Sequence, residues 1–147
     1  MTAVLYVLMR SDLASMVPGK AIAQGSHASN AFVKKVEAFT QIYNTKSKHT
    51  DIEDATINGF REWEYSTPHG FGTVLVLEGR MSEFKPIVRT FQALDYMADV
   101  ITDPTYPILD GEIVHHVNLE TCAYVFVPDK ENDHTASALL RRFPLHK

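Results

Sequence analysis

The sequence predicts an α/β fold in three layers, α/β/α, built on a mixed and mostly four-stranded β-sheet. Near-continuous apolar runs at Ala3–Met9, Gly72–Leu77 and Thr121–Val127 read as strands, the first covered on both faces. Two long amphipathic patterns separate them, so the order along the chain is β-α-β-α-β-β. In sheets of this kind ligands gather at strand ends beside helix N-termini. The length fits a single domain over residues 1–147.

The elements follow in order. Ala3-Val4-Leu5-Tyr6-Val7-Leu8-Met9 forms the first strand, and Arg10-Ser11-Asp12-Leu13 leaves the sheet. Pro18-Gly19 turns the chain into a helix expected to run to about Thr40. Lys20, Gln24 and His27 recur at i, i+4 and i+7 and so share a polar face. Ile22, Gly25, Phe32, Val33, Val36 and Phe39 are expected to pack on the sheet. Gly25 costs the helix about 1 kcal/mol relative to alanine, which a close approach of helix and sheet would explain.

The polar stretch 41–70 reads as an insertion over one edge of the domain. Within it, Asp51–Arg61 is expected as a short helix with Ile52, Ala55 and Phe60 inward, and Trp63 and Tyr65 as packed aromatics. A second long helix is expected over Met81–Tyr96, started near Ser82, with Phe84, Ile87, Val88, Phe91 and Leu94 as its stripe. Ala98–Asp103 reads as a strand that ends at the acid, broken by Pro104 and Pro107. Glu112–Val117 reads as an extra hairpin strand, Thr121–Val127 as the last strand, and Asp133–Phe143 as a closing helix.

Net charge is −4, so no global field draws the chain onto nucleic acid, although a local basic patch stays open. Cys122 lies in an apolar run and reads as a buried strand residue rather than a nucleophile. One cysteine allows no disulfide framework, which agrees with a reducing compartment. Met1–Met9 lacks a charged leader region and is too short to span a membrane, so a cytoplasmic location without membrane attachment is expected.

Chemistry can gather at a few places. Lys20 lies near a helix N-terminus, where free backbone N–H groups favour anions, yet a solvated helix-end lysine is the plain alternative. Asp103 is either a water-orienting base or the cap of an Asp-Pro turn. His27 is a proton carrier or a satisfied helix histidine. His115-His116 are adjacent, so on a strand they face opposite sides and cannot easily share an ion. With no His-Glu-x-x-His helix and no Gly-x-Ser-x-Gly elbow, neither a zinc enzyme nor a serine hydrolase is expected.

Arg10-Ser11-Asp12-Leu13, followed by Gly19-Lys20-Ala21-Ile22-Ala23-Gln24-Gly25-Ser26-His27-Ala28, resembles the N-terminal signature of class II peptidyl-tRNA hydrolases. Thr73–Leu77, Val100–Asp103 and Thr121–Pro128 resemble that family's later strands. The resemblance implies hydrolysis of the ester between a peptide and the 3′ ribose of tRNA, with no metal or cofactor. It makes Lys20, Asp103 and His27 the catalytic candidates and Gln24, Arg10, Ser26 and Thr121 the substrate-binding ones. Lys34, Lys35, Arg141 and Arg142 are added as phosphate contacts. The partner is then peptidyl-tRNA or tRNA, with a homodimer left open.

The sequence departs from the family after the acid. Asp103-Pro104-Thr105-Tyr106-Pro107-Ile108 stands where the family has Asp-Ala-Gly-Arg-Thr-Gln, and the connection to the last strand is longer. A catalytically silent, tRNA- or ligand-binding member of the fold is the rival expectation, and a different small-molecule hydrolase a third.

Overall fold

The computed structural model describes residues 2–147; Met1 of the opening run lies outside them. The elements are β1 (Val4–Arg10), α1 (Pro18–Thr45), α2 (Asp51–Glu64), β2 (Thr73–Gly79), α3 (Met81–Ala93), β3 (Ala98–Asp110), β4 (Ile113–Val127) and α4 (His134–Leu140). The sheet is four-stranded and mixed, in the order β2-β1-β4-β3. β1 runs parallel to β2 and antiparallel to β4, and β3 pairs antiparallel with β4.

β1 is central, which accounts for its unbroken apolar run. Leu5, Val7 and Met9 face Phe32, Val36 and Trp63 of α1 and α2. Val4, Tyr6 and Leu8 face Phe84, Phe91 and Phe143 on the layer of α3 and α4. The expected three layers are therefore present, with a core on each side of the sheet.

Several elements differ from the expectation. α1 continues to Thr45, and its buried stripe is Ala21, Gln24, Ala28, Phe32 and Val36. Gln24 thus turns inward, whereas Ile22 is 75 % exposed. Polarity set Gln24 on the wrong face, because a fully bonded amide can be buried. A Cβ at Gly25 would meet nothing within 4 Å, so close approach does not explain that glycine; at Gly59 it would meet Pro128 at 2.7 Å.

α2 extends to Glu64 and buries Thr56, Ile57, Gly59 and Trp63, while Ala55 faces solvent. Its start is a capping box. The Thr50 hydroxyl accepts from Glu53 N–H, and the Glu53 carboxylate accepts from Thr50 N–H. A hydrogen bond from Lys46, with that backbone bond, holds the Glu53 carboxyl down to about 2. Trp63 donates to the Thr73 carbonyl at 2.9 Å, but Tyr65 is largely exposed instead of packed. α3 ends at Ala93 and leaves Leu94 exposed, and Glu83, rather than Ser82, caps its start by accepting from Arg80 N–H.

The largest correction concerns β3. The strand does not end at Asp103 but runs through Pro104 and Pro107 to Asp110. β3 is an edge strand, so a missing proline N–H on its outer side breaks no ladder bond. Register shifts at Ile101/Thr102 and Asp103/Tyr106 absorb the rest. Likewise the two expected strands Glu112–Val117 and Thr121–Val127 merge into one, β4, which starts at Ile113 after a turn of Gly111, at φ 61°, and Glu112. Because β1 pairs with β4 only from Cys122 onward, the residues before it form a two-stranded arm with Leu109, Ile113 and Val114 exposed.

Asp133 caps α4 by accepting from Ala136 N–H. The C-terminal segment then returns along β2, where Glu78 N–H meets the Pro144 carbonyl and His146 N–H the Val76 carbonyl. Among the described residues, no helix is long and apolar enough to cross a membrane.

Candidate functional site

The first turns of α1, the point where β3 enters the arm, and Thr121 of β4 converge on one side of the sheet. Gln24, 2 % exposed, joins two of them. Its Nε2 donates to Asp103 Oδ2 at 2.8 Å, and its Oε1 accepts from Thr121 Oγ1 at 2.7 Å. An ionised carboxylate only accepts, so the amide nitrogen must face Asp103, and Thr121 supplies the donor at the other end.

Asp103 is 7 % exposed. Its Oδ1 accepts from Thr105 N–H at 2.9 Å and from the Thr105 hydroxyl at 3.2 Å. One oxygen thus makes the local cap that an Asp-Pro sequence suggests, and the other meets Gln24. Burial pushes its pKa up. The hydrogen bonds from Gln24 and Thr105, with His27 nearby, outweigh that and hold it below the ordinary carboxylate value. His27 Nε2 lies 4.0 Å from Asp103 Oδ2, and its ring reaches solvent.

Lys20 does not pair directly with Asp103. Its Nζ donates to the Pro107 carbonyl at 2.7 Å and lies 5.1 Å from the centre of the Tyr106 ring. Both residues are nonetheless served by the same short stretch, Asp103–Pro107. Tyr106 is fully buried, with its hydroxyl 3.0 Å from Ser15 Oγ.

The other candidates are more scattered. Arg10 binds Asp12 through Nε and Nη2 and the Glu120 carbonyl through Nη1. Ser26 is exposed on α1. Lys34 is exposed, and Lys35 pairs with Asp99 at 3.3 Å. Arg141 and Arg142 follow α4, on the layer opposite Lys20, and Arg142 donates to the Glu83 carbonyl. Cys122 is fully buried, as expected, and burial pushes its thiol up to about 12. Among the described residues, no three His, Cys, Asp or Glu side chains are grouped so as to hold a metal ion.

Thr105, Tyr106 and Ser15 were not legible as site residues. Asp103-Pro104-Thr105 carries a weak signal, since an aspartate often accepts from the backbone two residues on. Tyr106 carries none, because its role depends on a strand continuing past Pro104.

Comparison with curated proteins gives no match. A family model described as peptidyl-tRNA hydrolase PTH2 matches residues 3–105. The match takes in Lys20, Gln24, His27 and Asp103 and stops as β3 enters the arm. With well over half of its length inside that match, the chain belongs to the peptidyl-tRNA hydrolase PTH2 family.

Proposed function

We propose that the chain hydrolyses the ester of peptidyl-tRNA without a metal, releasing peptide and tRNA. The observation that carries this reading is the Thr121–Gln24–Asp103 chain, which holds a buried carboxylate with one oxygen 4.0 Å from the exposed His27 ring. A carboxylate with a lowered pKa is a poor proton acceptor, so Asp103 orients the attacking water and steadies positive charge on His27. His27, exposed and 4.0 Å away, takes up the water's proton as the water's oxygen bonds to the carbonyl carbon. Breaking the ester C–O bond then returns that proton to the leaving ribose oxygen.

Lys20, at the start of α1, stabilises the oxyanion that forms on the carbonyl. On this reading Ser26 and Arg10 would contact the substrate, and Thr121 acts through Gln24. With a net charge of −4, phosphate contacts are local, and binding weakens as salt rises.

Hydrolysis of peptidyl-tRNA by wild type, Lys20→Ala and Asp103→Asn tests the proposal. Each variant is expected to lose roughly 100-fold or more in kcat. Lys20→Ala with full activity would sink the assignment. One observation favours the rival, a silent binding module: the Lys20 ammonium is already held by Pro107. That reading wins if pure protein leaves peptidyl-tRNA intact yet binds tRNA at low salt.

A further inference from the structure

We propose that Tyr106 is a positioning residue: with the Pro107 carbonyl it forms a seat that fixes the Lys20 ammonium at the start of α1. This rests on the reading that Lys20 acts in hydrolysis, and it assigns a role to a residue beyond the family match.

A lysine carries its charge on a flexible four-carbon stem, so an unsupported ammonium samples many positions. Here two contacts hold it. The Pro107 carbonyl accepts its hydrogen bond at 2.7 Å, and the Tyr106 ring lies 5.1 Å away, within range of a cation–π contact. Lys20 lies in the first turn of α1, where the helix dipole repels a cation. A carbonyl and an aromatic face are the neutral groups that offset that repulsion without neutralising the charge.

Tyr106 also fixes the distance between the two elements. Its hydroxyl meets Ser15 Oγ at 3.0 Å and lies 3.8 Å from Met16 Sδ, in the loop that leads into α1. The ring thus ties β3, which carries Asp103, to the segment just before Lys20. A tyrosine that only filled core volume would need a partner for its buried hydroxyl, but not a lysine over its ring. The register shift between Asp103 and Tyr106 sets Asp103 toward Gln24 and Tyr106 toward Lys20 within one short segment.

The test uses two readouts on the full chain. In the first, reductive methylation of wild type and Tyr106→Leu is followed lysine by lysine by mass spectrometry, with exposed Lys34 and Lys130 as internal references. Lys20 is expected to react several-fold faster in Tyr106→Leu while the references stay unchanged. In the second, kcat on peptidyl-tRNA is expected to fall about tenfold to 100-fold in Tyr106→Leu with KM within twofold. Tyr106→Phe, which keeps the ring, should restore most of it. In a Lys20→Ala background, Tyr106→Leu should add no further loss, because it acts through a side chain that is gone.

Unchanged labelling of Lys20, or losses that multiply in the double variant, would overturn the proposal. Wild type that fails to cleave peptidyl-tRNA would refute the hydrolase reading instead, and the labelling would still decide whether Tyr106 seats Lys20. Should Tyr106→Leu not fold, Tyr106→Met fills more of the buried space and carries the same two measurements.

Discussion

Replacing Gln24 by leucine keeps the size of a buried side chain and removes both of its polar contacts. Asp103 Oδ2 loses a donor at 2.8 Å, and the Thr121 hydroxyl loses its acceptor at 2.7 Å. A hydrogen bond to a charged group contributes about 1.5–3 kcal/mol, and a buried hydroxyl left unpaired costs about 1–3 kcal/mol. The leucine recovers part of this by apolar burial, so a net loss of roughly 3 kcal/mol is expected. For a chain of this length that lowers Tm by about 6–12 °C. The pH dependence adds a second signature. Asp103 has a lowered pKa when folded, so the stability it contributes is present above about pH 4 and drains away as acid protonates it. Gln24→Leu removes the largest of the bonds that lower that pKa, so the gap in Tm between wild type and variant should narrow below about pH 4. Thermal melts from pH 3 to 7 measure both. Thr121→Val on top of Gln24→Leu removes the orphaned hydroxyl and should cost less than the sum of the two single changes. A Gln24→Leu protein that melts with wild type at neutral pH, or an additive double variant, would refute the reasoning.

Two further outcomes follow from the same geometry. Gly25→Ala should stabilise the protein by about 0.5–1 kcal/mol, since a Cβ there meets nothing within 4 Å and alanine is the better helix former; denaturant melts read it directly. Cys122, fully buried and with its thiol pushed up to about 12, should resist an aromatic disulfide reagent at pH 8 for as long as the protein stays folded, and react at once in denaturant.

Much of the fold was legible because apolar runs report double-sided burial. β1 is the clearest case, covered by Phe32 and Trp63 on one face and by Phe84 and Phe91 on the other. The spacing of Lys20, Gln24 and His27 placed three polar residues on one helix face, yet it could not tell which was turned inward. Gln24 is buried only because Asp103 and Thr121, far away in sequence, satisfy both ends of its amide. The course of β3 was hidden for a related reason. Proline breaks a central strand but not the outer edge of a sheet, and edge position is a property of the strand order, which no local pattern reveals. A strand that ends at Asp103 leaves the contacts of Tyr106 and Pro107 with Lys20 out of reach. The second strand of the hairpin arm was legible at Glu112–Val117, but its partner was not, because that partner is the continuation of β3 past Pro104.

The central claim is that Asp103, held by Gln24 and Thr105, orients water for ester cleavage while Lys20 stabilises the oxyanion. Single-turnover cleavage of peptidyl-tRNA by wild type and Asp103→Asn, in metal-free buffer with chelator, tests it most directly. The account predicts rapid release of tRNA by wild type and a loss of roughly 100-fold or more in Asp103→Asn, with tRNA binding retained. Equal rates for the two proteins, or cleavage that stops when metal is removed, would contradict it.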